Sequence, residues 1–140
     1  MLIPEGYIPT VALDVMNEVH DEEIRFLNDL DALISRREAG EDVDAELGAQ
    51  ISEFLKHIDY HFSNEERMML ENHVPVYPIH KGEHDRVRAE LQAICADWRS
   101  ENGFAAFTNH IRKGIPEWFA NHVATMDMVT AQILSQAMAR

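Results

Sequence analysis

Two pairs of side chains, His61 with Glu65 and His80 with His84, stand four residues apart in the stretch from Phe54 to His84. On a helix that spacing leaves two donors about 40° apart around the axis and one turn along it, so each pair can aim at a single point. Imidazole nitrogens and a carboxylate arranged this way are metal-ligand chemistry. Pro75 and Pro78 interrupt the helical pattern between the pairs. The two halves therefore belong on separate helices joined by a short turn, free to face each other.

The elements that must position these pairs follow from apolar residues recurring at three- and four-residue steps. Leu13, Met16, His20, Ile24, Leu27, Leu30 and Ile34 mark a first helix, closed by the polar run Arg37 to Asp42, with Gly40 as C′ residue and Asp42 as the next N-cap. A second helix carries Leu47, Ile51, Phe54, Ile58, His61, Glu65 and Met68 or Met69. The third opens at Tyr77 and Pro78, proline suiting a first turn. It carries His80, His84, Val87, Leu91, Ile94 or Cys95, and Trp98, and ends near Ser100 to Gly103. A last helical region is interrupted from Lys113 to Pro116 and then turns Phe119, His122, Met126, Val129 and Ile133 inward. The expected fold is all-α, an antiparallel up-down-up-down four-helix bundle with helices near 12–38, 43–72, 77–100 and 104–138 and an extended arm over 1–11. One domain over 1–140 accommodates all of it.

Composition bounds the rest. With 25 acidic against 12 basic residues and a formal charge of −13, the chain is unsuited to nucleic acid or to an anionic membrane surface. The N-terminal residues lack the basic and apolar regions of a signal peptide, and no stretch is apolar enough for a membrane span. A single cysteine, Cys95, excludes an intrachain disulfide and fits a reducing cytoplasm. The sequence carries no signal of oligomeric state.

A bundle core should be apolar, yet His20, His61, Glu65, His80, His84 and His122 sit within the apolar stripes. That many buried polar groups cannot all satisfy one another, and the simplest group that satisfies them together is metal. Imidazole with bridging carboxylate suits a pair of transition ions, redox-active iron first; spacing alone does not separate dinuclear iron from dinuclear zinc.

Taken in order, His20, His61-Phe62-x-x-Glu65-Glu66-x-x-Met69, Tyr77-Pro78-x-His80-x-x-x-His84 and Trp118-Phe119-x-x-His122-x-x-x-x-Asp127 resemble the bacterial hemerythrins over residues 14–134. The resemblance implies a four-helix bundle around a non-haem di-iron centre that binds O2 as carrier, store or sensor input, a binding protein rather than an enzyme. By that resemblance His80, His84 and His122 hold one iron and His20 and His61 the other. Glu65 and Asp127 bridge them together with a solvent-derived oxo or hydroxo group, and the second iron keeps an open position. Asp127 follows His122 by five residues, which on a regular helix places it about 140° away. Either that wider angle is used, or a π-type turn brings the two together.

The departures from the oxygen-carrying pattern fall around the open position, where Glu23 and Thr125 replace apolar wall residues, whereas Phe62, Met69, Trp118 and Val123 stay apolar. Glu23 either turns to solvent or binds or hydrogen-bonds near the second iron, with Thr125 beside it. The second case points to the alternative of a di-iron oxidoreductase acting on peroxide or nitric oxide, because a carboxylate can move protons. His57 reads as a histidine behind the site, His73 and His110 as solvent-facing, and Cys95 as a core residue. Ferritin-like di-iron enzymes are disfavoured, since no Glu-x-x-His motif falls on an inward face.

Overall fold

A computed structural model describes residues 2–139. Its rods are α1 (Asp14–Glu38), α2 (Asp44–Glu71), α3 (Tyr77–Ala96) and a composite fourth rod. The fourth rod runs through α4 (Glu101–Asn109), a π segment (His110–Gly114), α5 (Ile115–His122), a second π segment (Val123–Asp127) and α6 (Met128–Met138) without leaving right-handed helical dihedrals at its junctions. Neighbouring rods are antiparallel, as cross-contacts running in opposite senses show. Arg37 meets Asp44 while His20 meets Glu65, and His110 meets Glu90 while His80 meets Thr130. Among the described residues no strand is present, and no helix is long and apolar enough to cross a membrane.

The expected bounds hold to within a few residues, and the differences have local causes. Gly40, at φ +92°, ends α1 as a left-handed C′ residue, but the N-cap of α2 is Val43 rather than Asp42, and Asp44 instead accepts from Arg37 at 2.8 Å. α3 stops at Ala96 because Ser100 caps the next helix, its Oγ accepting from Gly103 N–H at 2.9 Å. Gly103 is therefore no terminator; a Cβ there would lie 1.8 Å from the Asp97 carbonyl oxygen. The interruption expected at Lys113 to Pro116 is a π segment with Pro116 in the first turn of α5, not a break. The arm is not simply extended. A turn closes from Tyr7 N–H to Pro4 O at 3.2 Å, Ile3 is buried, and Asn28 and Asn17 accept from Ile3 and Val11 N–H, each at 2.8 Å.

In the fourth rod the stripe shifts by one residue. Periodicity predicts Met126, Val129 and Ile133 inward, but the buried residues are Asp127, Thr130, Ala131 and Leu134, and Val129 is exposed. The second π segment absorbs the extra residue: its wider turn takes five residues where an α turn takes four. The core has two parts. The larger, with Leu27, Leu30, Ile34, Phe54, Ile58, Leu91, Cys95 and Phe107, fills most of the bundle. A smaller cap of Met16, Met69, Val74, Ala131 and Leu134 closes the end at the α2–α3 turn, and the polar cluster lies between them.

Candidate metal centre

Every rod delivers buried donors to this level of the bundle. α1 brings His20, α2 brings His61 and Glu65, α3 brings His80 and His84, and the fourth rod brings His122 and Asp127, all at most 3% exposed. They form two groups, one of His80, His84, His122 and Asp127, the other of His20, His61, Glu65 and Asp127.

The carboxylates divide their oxygens between the groups. Glu65 Oε1 lies 3.4 Å from His80 Nε2 and 3.5 Å from His84 Nε2, while its Oε2 lies 2.6 Å from His61 Nε2 and 3.9 Å from His20 Nε2. Asp127 Oδ1 lies 2.9 Å from His80 Nε2 and 3.1 Å from His122 Nε2, and its Oδ2 lies 3.0 Å from His20 Nε2. Asp127 arrives there because the π turn closes the five-residue offset from His122.

These approaches are short, yet His20 Nε2, Glu65 Oε1, His84 Nε2 and both Asp127 oxygens have no hydrogen-bond partner. Buried polar atoms are almost always paired. Lone pairs converging from several sides without donors between them fit a cation, and imidazole with carboxylate fits a transition ion.

The charges around the cluster agree. Burial acts to raise Asp127 and Glu65, as does their mutual repulsion for Glu65, but the surrounding histidines prevail: Asp127 is held well below the usual carboxylate range and Glu65 falls to about 2. Burial acts to lower His80 and His61, but Asp127 and Glu65 raise His80 to about 9, and Glu23 and Glu65 raise His61 well above its ordinary value. His84, lowered chiefly by burial to about 3, stays neutral. Carboxylates are ionised and imidazoles compensate, the arrangement a cation would take over.

The sequence profile of the hemerythrin HHE cation binding domain matches residues 11–134. The chain belongs to the hemerythrin family. A bacteriohemerythrin of Aquifex aeolicus (strain VF5) is 34% identical over 136 residues, 96% of this chain and 98% of that protein. A bacteriohemerythrin of Ralstonia nicotianae (strain ATCC BAA-1114 / GMI1000) is 30% identical over 93 residues, 66% of each chain. No solved structure matches the chain. Family and donor cluster together make this hemerythrin's core a metal-binding site.

One sequence expectation needs correction and another is narrowed. Glu23 takes the hydrogen-bonding one of its expected places rather than solvent: it is 2% exposed, belongs to neither donor group, and its Oε1 accepts from His61 Nδ1, on the opposite side of the ring from Nε2. Thr125 does not enter the site. The π bulge places it at the surface, where its hydroxyl donates to Asn121 O at 2.7 Å. Of the apolar residues, Phe62 stacks on His84 with ring centres 3.9 Å apart, Trp118 stacks on His122 at 4.5 Å, and Met69 and Val123 are fully buried. His57 sits behind His61, its ring 5.0 Å from Phe26. His73 is exposed, but His110 is half-buried, with Nε2 3.5 Å from Glu90 Oε1.

Sequence reading missed the groups that hold the outer nitrogens. His84 Nδ1–H donates to Glu66 at 2.8 Å, and Arg88 donates to both Glu66 oxygens at 2.9 and 3.3 Å. His80 Nδ1–H donates to Thr130 Oγ1 at 2.8 Å, whose own hydroxyl points at Met69 Sδ, 3.8 Å away. Such partners fix ring and tautomer, leaving Nε2 as the donor. Thr130 was hidden by the one-residue register shift; Glu66 was in view beside Glu65 on α2, but only the fold sets it against His84 of α3.

Proposed function

We propose that the chain binds O2 at a non-haem di-iron centre, with His80, His84 and His122 holding one iron and His20 and His61 the other. Glu65 and Asp127 bridge the pair, together with a solvent-derived oxo or hydroxo group. The observation that carries this reading is the division of each carboxylate's two oxygens between a three-histidine and a two-histidine group. Reduced iron at such a centre supplies the electrons for reversible O2 binding.

The protein's own part is to hold the donors rigid and dry. Glu66 and Thr130 fix two of the rings, and Phe62, Trp118 and Val123 keep water from the three-histidine side. A cavity of about 180 Å³ between α1 and α2 reaches His61 and Glu65, with Val15, Met16, Val19 and Met68 among its walls. It lies on the side with fewer nitrogen donors, which supports a small ligand there. Glu23 sits at His61 Nδ1, on the opposite side of the ring from the nitrogen facing Glu65, so its position favours O2 binding over proton-delivering chemistry.

The test is iron quantification together with absorption spectra of the reduced protein before air, after air and after O2 is removed. About two irons per chain and a visible spectrum that appears and then disappears are expected. Zinc in place of iron, or a spectrum unmoved by air, would overturn the assignment.

A further inference from the structure

Three histidines of the cluster have their outer nitrogens occupied, and the three partners differ in charge. Thr130, behind His80, is neutral. Glu66, behind His84, is negative, but Arg88 neutralises it. Glu23, behind His61, is negative and 2% exposed, and His61 is its one ionic contact among the described residues. A buried carboxylate that no arginine or lysine neutralises is costly, so the place where one is kept is informative. This one stands directly behind a donor of the two-histidine group.

We propose that Glu23 is a positioning residue that fixes His61 with Nε2 toward Glu65 and, through a charge that no arginine or lysine shares, strengthens cation binding in the two-histidine half over the three-histidine half. The inference rests on the assignment of the seven donors proposed above. Hydrogen bonding from Nδ1 to a carboxylate makes the opposite nitrogen a stronger donor, and loss of such a partner commonly weakens metal binding about 10- to 100-fold. At His84 the same device is muted, because the Arg88 guanidinium withdraws charge from Glu66. The half with fewer protein nitrogens thus has the stronger single imidazole.

Glu23→Gln keeps the volume and an acceptor and removes only the charge; Glu66→Gln makes the same change behind His84. Metal-free wild type and both variants are titrated with cobalt(II) against a competing chelator, with visible absorption as the readout. Two equivalents are expected in each, with one weakened about tenfold in Glu23→Gln, the other within about twofold of wild type, and a smaller change in Glu66→Gln. The midpoint potential of iron-loaded Glu23→Gln should rise, since the lost negative charge favoured the more oxidised state. A second measurement needs no variant: in the zinc-loaded wild type the His61 Nδ1 proton should resonate downfield of those of His80 and His84. Wild-type affinity for both equivalents in Glu23→Gln, equal weakening of both with a lower melting temperature, or a His61 proton no further downfield would overturn the proposal. Failure of the wild type to take up two equivalents would overturn the donor assignment as well.

Discussion

At His80 a proton and a cation compete for one nitrogen. Its folded-state value of about 9 lies above that of a free histidine, despite the lowering effect of burial. Its contribution to the metal-free fold is therefore fully present below about pH 6.5 and is lost as pH climbs through about 9. A cation must displace that proton. Loading at pH 7 should release about one proton or more per chain, and affinity should rise with pH up to about 9. A weakly buffered titration followed with a pH indicator checks this, and release of no proton would count against it. Six of the seven candidate donors were legible in the sequence because each breaks an apolar stripe, whereas Asp127 came only from the family resemblance. The residues behind them were legible only in part: Glu23 stands out in the sequence with two places open to it, Glu66 reads as an ordinary charged position beside Glu65, and only the fold shows that both are buried against a histidine.

Among the elements, the second π segment determines what the fourth rod turns inward. Helical periodicity found the other three rods, since a regular helix has one register. A single extra residue cannot be located by periodicity, which is why regular spacing sets the stripe beyond His122 one position early. The five-residue offset of Asp127 was the one visible trace. Deleting exposed Ala124 should convert the bulge into an ordinary α turn, bringing the aspartate to an i, i+4 offset from His122 while Thr130, Ala131 and Leu134 keep facing the core. Helix content by circular dichroism should be unchanged and stability altered by no more than about 1 kcal/mol. A larger loss would show that the bulge carries stability of its own.

Across the whole molecule, the polar layer divides the core in two, so the metal-free bundle keeps unpartnered buried atoms between its apolar clusters. Loading should stabilise it by about 2.7 kcal/mol at a free metal concentration a hundredfold above the dissociation constant, on the order of 10 °C in melting temperature for a chain of this size. His84→Ala should lower metal content and most of that gain together; iron content and melting temperature both unchanged would exclude His84 as a donor. Cys95 offers a way to follow such changes in time. It follows His84 by eleven residues on the same helix, about 16 Å along the axis, with 5% of its surface exposed and its thiol pushed up to about 12 by burial. A thiol so placed reacts with an alkylating reagent only while the far end of the bundle is open. Its labelling rate is then a clock for the breathing of the chain. Slower labelling on metal loading would mean that the centre holds together turns of helix it never touches.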